Sequence, residues 1–151
     1  MNAGQPIRER RANTYRLIED LVNTRTEMLA LFNQLAAMRP FDDREPVLDL
    51  LNDFCEILVD YTAAGYFSIY RFIEEGSERR RAVLELAQRI YPSILDSTRC
   101  IVEFNDRYVE SADAGEVELE QLEDDLSTLG LRMADRIEYE DQLIAMLRAP
   151  R

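Results

Sequence analysis

Apolar residues recur every three or four positions along four long stretches of this 151-residue chain. That spacing places them on one face of a helix, which can then pack against other helices. No stretch shows the strict alternation of apolar and polar residues that is typical of a strand. Four amphipathic helices joined by short loops predict an all-α fold, an antiparallel up-and-down four-helix bundle.

Proline and glycine mark the limits of the first two helices. Asn13 can cap the first helix, which should end before Pro40 because proline disfavours helical backbone in the residue that precedes it. The second helix is expected from Pro46, which suits a first helical turn, to about Glu75. Gly76 can adopt the left-handed conformation that ends it.

The remaining boundaries complete the domain assignment. Ser77 can cap the third helix, and Pro92 should kink or split it because proline removes a backbone donor. A turn at 113–115 separates the third helix from the fourth. Residues 1–12 are expected to form a flexible N-terminal segment, and residues 13–148 a single helical-bundle domain.

Thirty acidic residues face eighteen basic ones, all arginine, so the net charge is -12. Such charge opposes non-specific binding to DNA or anionic membranes and favours a basic partner. The same acidity would also serve solubility alone, so charge by itself leaves both interpretations open. Apolar runs are too short to cross a bilayer and no signal peptide is recognisable, which predicts a cytoplasmic protein.

The composition excludes much of the chemistry that helical bundles perform. The chain has no histidine, which removes histidine-containing di-iron sites, histidine-ligated haem and histidine phosphotransfer. Cys55 and Cys100 lie in apolar helical patterns and are expected to be small core residues. The adjacent Glu140 and Asp141 point apart on a helix and are expected on a charged outer face. We predict no enzyme activity and no cofactor. A carboxylate-rich metal enzyme is kept as an alternative hypothesis.

The stretch 54–73 is richer in apolar residues than one bundle face requires, with fourteen in twenty positions. By helical periodicity, a stripe that includes Phe54 serves the core, and the surplus lies beyond it. The surplus residues are Ile57, Tyr61, Phe67 and Tyr70. Excess aromatic surface on a helix indicates a partner-binding patch, although full enclosure by the other helices or self-association would also explain it.

Asp60 falls on the same side of this helix as Ile57 and Phe67. A carboxylate within an apolar patch suits an arginine of a partner, since the two form paired hydrogen bonds. The pattern therefore nominates Asp60 as a charged anchor.

Several motifs of the chain resemble the Rsd/AlgQ family of regulators of sigma D. They are Asn52-Asp53-Phe54-Cys55, Leu58-Val59-Asp60-Tyr61, the run from Ala64 to Tyr70, Arg39-Pro40, Ile90-Tyr91-Pro92 and Leu129-Gly130. The resemblance extends from about Arg16 to Leu147. Glu19, Leu21 and Tyr66 depart from the family, which commonly has aspartate, tryptophan and histidine there.

The resemblance implies a four-helix bundle that binds the C-terminal, DNA-binding domain of the primary sigma factor. The implied function is that of an anti-sigma factor, which blocks the contacts of sigma with -35 promoter DNA and core RNA polymerase. It implies no direct binding of nucleic acid or membrane, and a monomer or weak homodimer. A different class, a structural helical module that homodimerises through the aromatic patch, is the alternative.

The resemblance also assigns residues. The expected partner-binding residues are Asp60, Tyr61, Phe67, Ser68 and Tyr70, with Ile57 beside them on the helix face. The expected structural residues are Gly65, for close packing, Phe54 and Pro92.

Overall fold

The computed structural model describes residues 5–76, 78–114 and 118–148. Its elements are α1 (Gln5–Ala36), α2 (Arg44–Gly65), a π-helical segment (Tyr66–Tyr70), α3 (Arg71–Glu74), α4 (Arg81–Ala114), a 3₁₀ turn (Leu119–Gln121) and α5 (Leu122–Arg148). Backbone at Gly65 and Arg71 is helical, so α2, the π-helical segment and α3 form one long second helix. No described residue lies in a strand, which confirms the all-α class.

The first two helices end close to where the sequence predicts. α1 begins at Gln5 rather than Asn13, because Pro6 suits a first helical turn and no breaker follows it. Gly76 has a φ of 72° and ends the second helix as predicted. Ser77, the predicted cap of the next helix, lies outside the described residues.

Pro92 lies inside α4, which continues through it as one helix. The split form of the prediction is therefore wrong, while a kink stays a prediction. Pro92 and Gln88, whose carbonyl would accept the missing hydrogen bond, are both exposed, so water can satisfy that carbonyl. α4 extends to Ala114, and Gly115 of the predicted turn lies outside the described residues.

The core is built from the inward face of every long helix. Central buried residues are Ile18, Leu21, Met28, Leu51, Phe54, Leu58, Ile94, Ile101, Phe104, Leu126, Leu129 and Met133. The ring of Phe54 lies 5.9 Å from those of Phe32 and Phe104, which links α1, α2 and α4. These contacts support a helical bundle, and the up-and-down order of its helices stays a prediction.

Gly130 marks a close approach between α1 and α5. A β-carbon at this position would lie 2.9 Å from Cζ of Phe32, closer than such atoms normally come. Among the described helices, none combines the length and apolar character needed to cross a lipid bilayer.

Candidate partner-binding surface

A row of four acidic residues follows the outer side of α2. Asp49, Asp53, Glu56 and Asp60 are spaced by four, three and four positions and are all exposed. Residues at this spacing lie above one another on a helix. Within the described part of the chain, none of these carboxylates forms an ion pair, so the row presents unneutralised negative charge.

Exposed apolar side chains continue this row towards the C-terminal end of the second helix. Val59, Tyr66 and Phe67 are 50%, 41% and 49% exposed. The rings of Tyr66 and Phe67 meet edge to face, with centroids 5.3 Å apart, and the guanidinium of Arg71 lies 5.5 Å from the Phe67 centroid. We call the acidic row together with Ile57, Val59, Tyr66 and Phe67 the α2 surface.

The structure divides the six predicted partner-binding residues into two groups. Asp60 and Phe67 are exposed and Ile57 is half-buried, so these three belong to the α2 surface. The remaining three, which are Tyr61, Ser68 and Tyr70, have their side chains in the interior of the bundle. In this conformation only the first group is available to a partner.

The π-helical segment explains why Tyr70 is buried, although regular α-helical periodicity predicts it on the outside. Tyr70 follows Tyr61 by nine positions, which at 100° per residue would put the two on opposite faces of an α-helix. The backbone N–H of Arg71 instead bonds to the carbonyl of Tyr66, five residues back, and this wider turn takes up an extra residue. As a result the three successive residues Ser68, Ile69 and Tyr70 are all buried.

Tyr61 and Tyr70 point towards a buried ion pair between Arg136 and Glu140 of α5. The side chains of Arg136 and Glu140 are 2% and 0% exposed, and Nε of Arg136 donates to Oε1 of Glu140 at 3.2 Å. The Tyr61 hydroxyl donates to Oε2 of the same carboxylate at 2.5 Å. The expectation of an outer charged face is therefore wrong for Glu140, because it ignored the partners that a bundle interior supplies.

Two other helices supply further partners for this pair. Arg136 Nη1 donates to the hydroxyls of Ser97 and Thr98 in α4, at 3.0 and 2.9 Å. Arg25 of α1 lies 3.6 Å from Glu140 and also pairs with the exposed Asp141 at 2.9 Å. We call Arg25, Tyr61, Tyr70, Arg136 and Glu140 the Arg136 cluster. It joins α1, the second helix and α5, and its hydrogen bonds to Ser97 and Thr98 connect it to α4.

Gly65 lies directly beside this cluster. A β-carbon there would be 3.5 Å from Oε1 of Glu140 and 3.6 Å from Nη2 of Arg136. These are ordinary contact distances, so the glycine brings the backbone of α2 close to the ion pair. Sequence reasoning did not assign Arg136 and Glu140 to the interior, although an arginine and a glutamate four positions apart within an apolar stripe were a usable signal.

Burial is also the main influence on the pKa values of Tyr61, Tyr70 and Glu140. It raises the pKa of Tyr61 and Tyr70 far above the ordinary value of 10.0, and the negative charge of Glu140 adds to the rise. Burial raises the pKa of Glu140 too, while the charge of Arg136 and the hydrogen bond from Tyr61 oppose that rise. The thiol of Cys55 is buried as predicted, and its pKa rises to about 12 for the same reason.

Alkaline conditions are therefore expected to destabilise the fold. Above pH 10 the unfolded chain releases the hydroxyl protons of Tyr61 and Tyr70, whereas the folded protein retains them, so rising pH favours unfolding. Each group should remove about 1.4 kcal/mol of stability per pH unit in that range. Denaturant titrations at several pH values, with tyrosine ionisation followed by ultraviolet absorbance, would measure this. Tyr61→Phe should reduce the slope, and ionisation of all seven tyrosines together in the folded state would contradict the prediction.

The described residues show no arrangement of three or more Asp, Glu or Cys side chains that could hold a metal ion. An apolar groove of about 320 Å³ lies between α1 and α5 and is lined by residues that include Leu29, Phe32 and Ile137. Exposed aromatic side chains such as those of the α2 surface are enriched in protein-binding interfaces, and the acidic row beside them can complement a basic partner.

The family of the chain follows from comparison with known proteins. Residues 1–148 match the family model described as "Regulator of RNA polymerase sigma(70) subunit, Rsd/AlgQ". The chain therefore belongs to the Rsd/AlgQ family, which confirms the resemblance seen in its motifs.

Curated relatives named "Regulator of sigma D" match along nearly the whole chain. The protein of Yersinia pseudotuberculosis serotype O:1b is 30% identical over 149 residues, covering 95% of this chain and 86% of the relative. That of Yersinia enterocolitica serotype O:8 is also 30% identical, covering 95% and 87%. For the Salmonella arizonae protein the identity is again 30%, with coverage of 97% and 91%. No solved structure is significantly similar to the chain.

Proposed function

We propose that this protein is an anti-sigma factor that binds the C-terminal, DNA-binding domain of the primary sigma factor. The observation that carries the proposal is the α2 surface, where carboxylates that form no ion pair within the described residues adjoin exposed aromatic rings in a member of the Rsd/AlgQ family. The names of the family and of its curated relatives support a regulator of sigma. Blocking the contacts of sigma with -35 DNA and core RNA polymerase is the proposed mode of action.

Charge favours such a partner. Domains that read DNA through a helix-turn-helix carry basic residues that contact phosphates. A chain with a net charge of -12 and a row of exposed acids can attract those residues and cover them. A sigma domain held in this way could not present the same basic residues to DNA.

The residues of the α2 surface have separable roles in the proposed complex. Asp60 would accept two hydrogen bonds from an arginine of sigma, which is stronger than a contact between neutral groups. Phe67 would supply apolar area next to that ion pair, and Ile57 would extend it from the other side. Tyr61, Ser68 and Tyr70 would support the surface from the interior.

The direct test is a calorimetric titration with the isolated C-terminal domain of the primary sigma factor. We expect binding at about 1:1 stoichiometry with a dissociation constant in the micromolar range or below, and co-elution of the two proteins. Phe67→Ala should weaken it by about 2 kcal/mol or more if the ring is a central contact. Leu131→Ala, on an apolar residue of α5 that is more exposed than Phe67, is the control and should bind normally.

Absence of heat and of co-elution at micromolar concentrations would refute the proposal. Elution of the protein alone as a dimer that Phe67→Ala disrupts would instead support the homodimerising helical module. Cytoplasmic location and a monomeric or weakly dimeric state belong to the same proposal, because sigma and RNA polymerase act in the cytoplasm.

A further inference from the structure

One side of α4 carries apolar residues that the core does not use. Leu95 and Val102 are 41% and 49% exposed, and Tyr91 is half-buried. Spacings of four and seven positions place these three residues in one row along the helix. Other residues of α4, which include Ile94 and Ile101, are buried and contribute to the core instead. We call Tyr91, Leu95 and Val102 the α4 row.

The contacts of α4 show which neighbour this row borders. The hydroxyl of Tyr91 donates to Oε1 of Glu74, near the end of the second helix, at 2.8 Å. This hydrogen bond raises the pKa of Tyr91, and burial, the charge of Glu74 and the nearby Tyr66 hydroxyl contribute to the rise. The opposite flank of α4 turns towards α5, where Arg107 pairs with Asp125 at 2.8 Å. The α4 row therefore lies on the side of α4 next to the second helix.

Two contacts fix how the second helix and α4 lie alongside each other. Phe54 packs against Phe104, with ring centroids 5.9 Å apart, and Glu74 accepts the hydrogen bond from Tyr91. Positions that rise from 54 to 74 on the second helix therefore lie beside positions that fall from 104 to 91 on α4. Residues between the two contacts on one helix are neighbours of those between them on the other.

Exposed apolar residues of both helices fall between those contacts. Val59 and Tyr66 are seven positions apart, so Val59 shares the side of the second helix that Tyr66 presents to α4. Leu95 and Val102 lie opposite them on α4. These are four of the seven large hydrophobic residues that are exposed in the described part of the chain. Their concentration where two helices meet indicates an interaction site, since exposed apolar residues on a monomer are otherwise scattered.

Exposed acidic residues border this apolar junction on both helices. The acidic row of α2 lies on one side of it. On α4, Glu103 and Asp106 are exposed and close to Val102 in sequence. The nearby Arg99 is paired with Asp96 at 4.0 Å. Acidic edges complement a partner with basic residues, and helix-turn-helix domains carry such residues where they contact DNA.

The size of a stable interface also requires more than one helix. Specific complexes bury about 800 Å² on each partner, contributed by about 20–30 residues. The α2 surface comprises eight residues along a single helix. The α4 row widens it onto a second helix without a break in the apolar area.

We propose that the sigma C-terminal domain docks across both helices, with Leu95 and Val102 of α4 in direct contact with it. The inference rests on the proposed function, which supplies the partner. Val59 and Tyr66 form the α2 side of the same contact. Tyr91, held by its hydrogen bond to the second helix, forms the end of the contact beside Tyr66.

The first test uses the double variant Leu95→Gln/Val102→Gln in the full-length protein. Glutamine removes apolar area without changing the charge, and it is well tolerated in helices. The dissociation constant for the sigma C-terminal domain, measured by calorimetry, should increase about tenfold or more. Leu131→Gln, on the more exposed Leu131 of α5, is the control and should bind normally. Thermal unfolding of all three proteins should agree, because the substituted side chains are exposed.

The second test uses the unmodified protein, so it does not depend on how a variant folds. Amide hydrogen exchange is compared between the free protein and its complex with the sigma C-terminal domain. We expect exchange at 91–102 to slow in the complex, because a helix covered by a partner opens less often. Residues 127–138 of α5 are the internal comparison and should exchange equally in both states.

The outcomes separate this inference from the proposed function. Weaker binding by the double variant together with slower exchange at 91–102 would support docking across both helices. Normal binding by the double variant, or unchanged exchange at 91–102, would overturn the inference while leaving an anti-sigma factor that binds through α2 alone. Elution of the free protein as a dimer that the double variant dissociates would assign the α4 row to a second copy instead of sigma. If the unmodified protein does not bind sigma, the proposed function fails and this inference with it.

Discussion

Glu140→Gln is expected to lower the free energy of unfolding by about 3–5 kcal/mol, because it leaves the guanidinium of Arg136 buried without its counter-charge. Arg136 is 2% exposed and cannot shed its proton at accessible pH, so it cannot adapt by becoming neutral. Glutamine has nearly the same shape and can still accept the hydrogen bond from Tyr61. The loss therefore reports charge rather than a cavity. Denaturant-induced unfolding followed by circular dichroism would measure it.

The double variant Arg136→Met/Glu140→Gln is the control for this measurement. It should recover most of the lost stability, because replacing a whole buried ion pair is much less costly than breaking it. A Glu140→Gln protein as stable as the unmodified one would mean that Glu140 already holds a proton when folded. That result would contradict a charged pair. It would mean that burial, which raises the pKa of Glu140, outweighs the opposing influence of Arg136.

Sequence periodicity predicted the helices of this chain because each helix has a continuous apolar stripe, and Gly76 ends the second helix by the conformation expected of glycine. Asp60 and Phe67 were placed on the outer side of that helix for the same reason. Pro92 misled the prediction of a split because an exposed proline, with water near the freed carbonyl, can be accommodated inside a long helix.

Periodicity failed beyond Gly65 because the helix there is not an α-helix. One extra residue in a π-helical turn moved Tyr70 from the predicted surface to the core, and no local pattern of residues announces such a turn. Tyr61 was misplaced for a different reason. Its position, three residues after the buried Leu58, belongs to the core face, but its hydroxyl is tolerated there only because Glu140 lies opposite. A contact between residues 79 positions apart cannot be seen in the sequence pattern of a single helix.

Asp60→Ala is expected to weaken binding of the sigma C-terminal domain by roughly 2–5 kcal/mol while leaving the fold intact. In the proposed complex its removal leaves an arginine of sigma covered by protein without a partner, which accounts for the size of the effect. The corresponding increase in the dissociation constant is about thirty- to several thousand-fold. Isothermal titration calorimetry would give the affinity, and thermal unfolding the stability.

The position of Asp60 in the structure makes the two measurements separable. Its side chain is exposed and forms no ion pair within the described residues, so substitution by alanine, a better helix former, should change stability by less than about 0.5 kcal/mol. Asp135→Ala removes another exposed acid, on α5, and serves as the matched control. Its effect on binding should be on the order of 0–1 kcal/mol, since it changes only the overall charge. Equal weakening by both substitutions would show that net charge, not a specific pairing, governs the complex. A less stable Asp60→Ala protein that binds normally would remove Asp60 from the binding site while leaving membership of the family unaffected.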